Sequence, residues 1–258
     1  MNRRWKWIVG AVAALIVVVV AGSFIYAKFI NKADPEFDQK TVDERLNAAT
    51  TTGASTIASD PSSVPLQSTA ATTQSTSSVA TAAANGVDGT WTIKAPSEVG
   101  YRVKESINGF DTTANGRTQS VTGTMVAVGA SITEGQFTVD MTTFTSDESK
   151  RDAQFKGRVM DVAKYPTSTF VLTAPIDFGA VPDEGGTVTS SATGDLTLHG
   201  TTKSVTFDVQ GTFKNSLIGV LGQIPVVFAD YGIPAPSFGT VSTEDNGLLE
   251  FVLVLERK

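Results

Sequence analysis

The sequence predicts an all-β domain, an antiparallel barrel with one short helix, carried behind an amino-terminal transmembrane helix and a Ser/Thr/Ala-rich tether. Three observations predict it. Short apolar segments with period-two alternation recur every 8–15 residues from Gly89 to Leu255, separated by Gly- and Asn-rich turns. One of them, Gly194 to Val209, reads as a complete hairpin. Leu196 and Leu198 share one face, then Gly200 turns the chain, and Val205, Phe207 and Val209 alternate with Thr206 and Asp208. Finally, residues 7–27 carry no charge at all.

Taken in order, Arg3, Arg4 and Lys6 precede the uncharged run from Trp7 to Ala27, about the ~20 residues that cross a bilayer. Trp5, Trp7 and Tyr26 stand where interfacial aromatics belong, and the leading cations place the amino terminus in the cytoplasm and the rest outside it. The competing reading is a cleaved signal peptide ending at Val19-Val20-Ala21, but signal cores are typically ~7–15 residues and this run is longer. Residues 1–30 are therefore read as cytoplasmic tip and single-pass anchor in the cell membrane, residues 31–86 as juxtamembrane segment and linker, and residues 87–258 as the globular domain. Asp34-Pro35-Glu36 resembles a helix start, with Asp as cap and Pro at the first position. From about Ala49 to Gly86 the composition falls to Ser, Thr, Ala, Gly and Gln with Asp60 the only charge, too little apolar surface to offset the entropy of ordering. That stretch is expected to be a disordered tether.

Within the domain, strands are expected at Gly89–Ile93, Val99–Ile107, Gln119–Val128, Gln136–Met141, Thr169–Ile176, the central hairpin, Ile224–Phe228 and Leu248–Leu255. Eight or so strands suit a barrel wide enough inside for one small ligand. Thr145 to Met160 reads as the helix, with Ser146 or Asp147 as cap and Phe155 and Val159 at i,i+4. The last strand is apolar on both faces: Leu249, Phe251, Leu253 and Leu255 on one, Leu248, Val252 and Val254 on the other. Its outer face therefore needs a cover, either that helix or a second subunit in a homodimer.

The search for chemistry is mostly negative. There is no cysteine, hence no disulfide, thiol nucleophile or Cys-based zinc site. His199 is the single histidine and stands in a turn, with Asp195 about 13 Å along the strand, too far to pair. No nucleophile elbow, convergent metal ligands or EF-hand spacing is present, so neither catalytic residues, metal nor cofactor is assigned, and no enzyme activity is expected. Residues 87–258 carry 13 Lys and Arg against 20 Asp and Glu, which excludes the basic footprint of a nucleic-acid partner. Lys150, Lys156 and Arg158 read as a solvated helix face, and Arg151-Asp152 as a pair that caps the helix and pins it to a loop, the alternative being a polar anchor for a lipid headgroup.

What remains is an apolar interior. Alternation turns Tyr101, Val103, Phe137, Val139, Met141, Phe170, Phe207 and Val209 to one side against polar neighbours. Two blocks also carry a resemblance. Gly194-Asp-Leu-Thr-Leu-His-Gly-Thr-Thr-Lys-Ser-Val-Thr-Phe207 resembles the central hairpin of the YceI-like family, and Arg151-Asp152, Tyr165-Pro166 and Phe170 resemble its Arg-Asp, Tyr-Pro and Phe pattern. The chain departs from that pattern at Gln154 and Glu105, where the family often has His, and at Met160, where it often has Phe. The resemblance covers most of residues 87–258 and is weakest over 108–118 and 213–247. It implies a lipocalin-like barrel that holds a polyisoprenoid or other long-chain lipid, without catalysis. It also implies that the residues above, with Phe155 and Met160 from the helix and Phe251 from the last strand, line the cavity. Without a cavity, the same barrel would be a solid interaction module presented at the cell surface.

Overall fold

A computed structural model describes residues 3–25, 33–53, 86–234 and 241–258. After the amino-terminal helices α1 (Arg3–Ile25) and α2 (Gln39–Gly53), the chain runs β1 (Gly89–Ile107), β2 (Phe110–Thr118), β3 (Val121–Val128) and β4 (Ser131–Asp140). A short helix α3 (Ser149–Gln154) follows, then β5 (Thr167–Leu172), β6 (Ile176–Asp177), β7 (Thr187–Leu198), β8 (Thr201–Lys214) and β9 (Leu217–Val227), and finally β10 (Val241–Thr243) and β11 (Asn246–Arg257).

The strands pair antiparallel in the order β1-β11-β9-β8-β7-β5-β4-β3, and β3 returns to β1, so these eight close a ring. Closure leaves the ring without an open edge. Strand β1 makes this possible by serving two partners on one side. Its first residues, Gly89–Thr92, pair β3, and after a register shift between Lys94 and Glu98 its second half pairs β2. The bulge is patched by buried Ser97, whose hydroxyl donates to Lys94 O at 2.6 Å and accepts from Val254 N at 2.9 Å. The central hairpin is as expected, with Thr197 opposite Thr202 and the turn residues His199 and Gly200 at φ of 51° and 74°. Strand β2 was not expected. Its Thr-Thr-Ala-Asn-Gly-Arg run lacks the alternation of apolar residues that marks a strand, and the ladder to β1 decides its conformation.

The helical expectations need three corrections. The sequence Asp34-Pro35 is not a helix start: helix α2 begins at Gln39, and Asp38 precedes it, accepting from Thr41 N at 2.9 Å and from the Thr41 hydroxyl at 2.8 Å. Thr145–Met160 is not one helix. Glu148, not Ser146 or Asp147, caps α3, and Phe155–Val159 then widen into a π-helical turn. Most consequentially, the outer face of β11 is not covered by that helix. Helix α2 covers it, with Val42, Leu46 and Ala49, joined by Phe37 just before the helix, buried against Leu217, Leu221, Val252 and Val254. Val42, Leu46 and Ala49 recur at i, i+4, i+7, one face of a helix. The close approach depends on Gly219, where a Cβ would stand 2.5 Å from Val42 Cγ1.

The segment leading into α2 crosses the same wall. Glu250, fully buried, accepts from Arg102 Nη2 at 3.3 Å and Arg117 Nη2 at 3.2 Å. Residues 34–37 complete this cluster from above. Phe37 N–H donates to Glu250 at 3.4 Å, Arg102 donates to Asp34 O at 2.7 Å, Arg117 donates to Pro35 O, and the Arg117 guanidinium lies 4.2 Å over the Phe37 ring. Thus residues 33–53, read from sequence as juxtamembrane, pack as part of the barrel wall.

The Asp38 carboxyl is held below its ordinary 3.8, first by the Thr41 N–H and then by the Thr41 hydroxyl. A depressed carboxyl stabilises fully above its unfolded value and loses that contribution as the pH falls through the folded one. Asp38→Ala should therefore abolish a part of the melting-temperature decline seen on acidification below pH ~3.8; superimposable curves for parent and variant would refute the cap's role.

Helix α1 leaves Trp7, Val12, Leu15 to Val20, Phe24 and Ile25 exposed. Taken over the described residues alone, no helix is long and apolar enough to cross a membrane; the expected span runs on to Ala27, outside them. The tether expected through Gly86 also falls mainly outside the described residues, although its first residues, Ala49–Gly53, are the last turn of α2.

Candidate functional site: a two-chamber cavity in the barrel

One end of the barrel is stopped. Trp91, 1 % exposed, packs among Val121, Met125, Ala127, Leu253 and Leu255, with its indole N–H donating to Val87 O at 2.7 Å and Arg257 5.2 Å over the ring. Toward the other end the interior is not filled. Two chambers lie along the axis, of about 330 Å³ and about 130 Å³.

The larger, outer chamber is walled by Tyr101, Val103, Phe155 and Met160, with Arg102, Glu105, Glu148, Lys150, Arg151 and Arg158 supplying its charged lining. The inner one is walled by Phe137, Val139, Phe170, Phe207, Val209 and Phe251 and has no charged residue in its lining. Met141 borders both. All eleven residues expected to face the interior therefore line one chamber or the other. The period-two rule placed the strand residues; Phe155 and Met160 reach the outer chamber from the π-helical turn and its cap.

Aromatic contacts set the shape. Tyr101 stacks on Phe155 with ring centroids 4.6 Å apart, and Phe144 leans on both at 5.9 and 5.2 Å. Further in, Phe137 stacks on Phe170 at 6.4 Å, and Phe207 meets Phe170 and Phe251 edge-on at 5.5 and 6.0 Å. Burial pushes the Tyr101 phenol well above its ordinary 10, against the opposing pull of Arg151. The hydroxyl thus stays protonated and keeps a neutral hydrogen-bond donor in the outer chamber.

The pair Arg151-Asp152 does what the sequence suggested, and more. Asp152 accepts from Ser146 N at 2.8 Å and from its hydroxyl at 2.6 Å, pinning α3 to the preceding loop. Arg151 pairs with Asp147 and, at 3.6 Å, with Glu105, while also lining the outer chamber. Lys150 and Arg158 are exposed as expected and line the outer chamber, whereas Lys156, expected on the same solvated face, is half-buried on the π-helical turn. His199 has its Nδ1 3.2 Å from Tyr231 O and its ring 4.6 Å from that of Tyr165, a local turn arrangement outside both chambers. Among the described residues no cluster of His, Cys, Asp or Glu could hold a metal ion. Sequence reasoning missed Phe144, which comes off the irregular stretch after β4 where alternation no longer applies.

This closed barrel with its helical lid and unfilled core matches a known family. Residues 91–255, well over half of the chain, fit the model of the YceI-like domain. The chain belongs to the YceI-like family. Among relatives of this YceI-like protein, a UPF0312 protein of Vibrio campbellii is 33 % identical over 103 residues, which are 37 % of this chain and 51 % of the relative. A UPF0312 protein of Pseudomonas savastanoi pv. phaseolicola is 34 % identical over 98 residues, 35 % and 47 % of the two chains. The chain spans about half the length of the curated relatives it matches. Among solved structures, a polyisoprenoid binding domain from Saccharophagus degradans implicated in plant cell wall breakdown superposes with a TM-score of 0.54 at 18 % identity, covering 65 % of this chain and 98 % of its own. Burkholderia cenocepacia BcnA does so with a TM-score of 0.50 at 22 % identity, covering 63 % and 98 %. At such identities the likeness is one of fold.

Proposed function

We propose that this YceI-like protein is a membrane-anchored, extracytoplasmic binding protein for a polyisoprenoid or other long-chain lipid, and that it binds without catalysing a reaction. The observation that carries the reading is the cavity: an apolar interior left open inside a closed barrel, with charged side chains of both signs and a neutral phenol at one end only. Such a site fits an amphiphile inserted tail first. A volume of about 330 Å³ falls within the range of pockets, about 300–1,000 Å³, that hold small molecules. Each buried CH₂ contributes roughly 0.8 kcal/mol, so a few isoprene units support affinities near ~1 μM, about −8 kcal/mol, after the costs of association. The polyisoprenoid-binding Saccharophagus domain supports the same class of ligand. The anchor rests on the uncharged run from Trp7 to Ala27 and the cations before it.

The direct test is native mass spectrometry of the full chain purified in detergent from its own host, where a bound lipid released by organic solvent is expected. A protein that never carries one would favour the solid interaction module instead. Val139 supplies a variant. It lines the inner chamber from the next-to-last position of β4. In a close-packed core Val139→Trp would cost about 1–3 kcal/mol. Here the indole enters space that a ligand vacates, so the ligand-free variant should keep near-parental stability while its lipid content falls sharply. The comparison is made ligand-free because bound lipid adds stability by mass action. A domain that unfolds, or keeps its lipid, would place the ligand elsewhere.

A further inference from the structure

The two chambers are not walled off by strand backbone. Four side chains, Met141, Phe144, Leu198 and Leu249, border both. We infer that these four form a gate, and that the gate sets the length of the hydrocarbon chain the barrel accepts; the inference rests on the reading of the cavity as a lipid site. With the gate as it stands, the outer chamber alone receives a short chain. The inner chamber, at about 130 Å³, is close to the ~150 Å³ of an engineered apolar cavity that takes one benzene, so it offers room for about one isoprene-sized unit. A longer chain must pass between the four side chains to use it.

The gate residues differ in how they are held. Leu198 and Leu249 sit on β7 and β11, in continuous ladders. Met141 and Phe144 do not. Met141 opens a single 3₁₀ turn, Met141–Thr143, whose start is fixed by Asp140 accepting from Thr142 N at 2.9 Å and by Met141 N donating to Pro166 O at 2.9 Å. Phe144 ends that turn and is braced by the rings of Tyr101 and Phe155. A thioether with three rotatable bonds adapts to irregular space, which makes Met141 the member able to swing while the ladders stay fixed. Phe144 follows only when Phe155, on its π-helical turn, gives way. Since Phe155 also faces the mouth, a ligand entering there displaces the brace of the gate behind it.

The experiment sets a three-unit prenyl alcohol, farnesol, against one a single isoprene unit longer, geranylgeraniol, in equimolar competition for the full chain in detergent micelles, read by native mass spectrometry. Met141→Ala and Phe144→Leu enlarge the passage and should raise the geranylgeraniol-to-farnesol occupancy ratio about tenfold, equivalent to ~1.4 kcal/mol. Leu198→Phe narrows it and should lower the ratio while farnesol still binds. Three variants that bind both alcohols at the parental ratio overturn the gate and leave the lipid site standing. A parent that binds neither alcohol overturns both.

Discussion

A chain that begins at Val87 should melt about 5–15 °C below one that begins at Ala33. Helix α2 and the segment before it bury Phe37, Val42 and Leu46 and cover Leu217, Leu221, Val252 and Val254. Full burial of a large apolar side chain is worth roughly 1.5–3 kcal/mol. Against this stands the entropy of ordering the helix, which its own backbone hydrogen bonds offset only in part, so the expected net contribution is about 3–4 kcal/mol, well below the gross sum. For a domain of this size each kcal/mol moves the midpoint by about 2–4 °C. Leu46→Asp in the full chain, which drives a carboxylate into the same contact, should shift the midpoint in the same direction without shortening the chain. Equal midpoints for the two chains would mean that α2 contributes nothing to the barrel.

Glu250→Ala should cost about 3–5 kcal/mol in urea unfolding, the range for removing one partner from a buried charge cluster. Glu250 is fully buried, and Arg102 and Arg117, whose side chains are 11 % and 18 % exposed, converge on one of its oxygens. Without the carboxylate, two guanidinium groups face each other under Phe37, left with the Asp34 and Pro35 carbonyls and, for Arg102, the largely exposed Glu36 carboxylate at 3.8 Å. The triple replacement Glu250→Leu, Arg102→Met, Arg117→Met should recover most of the loss, because an apolar cluster of similar volume has no charge to desolvate. A Glu250→Ala variant of parental stability, or a triple variant worse than the single one, would show that the cluster is not held as a charge network.

The contrast between these two features and the cavity shows where the sequence was legible. Interior positions such as Phe137, Val139, Phe207 and Val209 follow from alternation, since a strand with one apolar face has one way to sit in a barrel. The same rule registered Val252 and Val254 as a face needing a cover. It could not say which element would cover it, because that is a long-range pairing. The α2 sequence, Gln-Lys-Thr-Val-Asp-Glu-Arg-Leu-Asn-Ala-Ala, carries few apolar residues, and they become informative only beside Gly219. Glu250 goes unmarked in its own strand, because its partners Arg102 and Arg117 are 148 and 133 residues away in sequence. Strand β2 has no period of its own and exists because β1 offers it a ladder. At the gate, Met141 was found by strand periodicity but Phe144 was not, since the turn between them breaks the period that identifies neighbours.

The position of α2 also changes what a cut in the chain would do. Helix α2 ends at Gly53 on the barrel wall, and at Gly86, whose carbonyl accepts from Arg257, the chain is again on the barrel and leads into β1. The Ser/Thr/Ala-rich residues between them therefore start and finish on one body. A protease acting there would nick the protein without releasing its carboxy-terminal part. Residues up to Gly53 would remain as a separate peptide clamped over β9 and β11, with Phe37 and Leu46 still seated and Glu250 still sealed. The stretch that sets the distance between α1 and the barrel is the one from Ile25 to Ala33, which even fully extended spans no more than about 30 Å. The reach of the barrel from α1 is therefore set by this short lead and is independent of the length of the low-complexity segment.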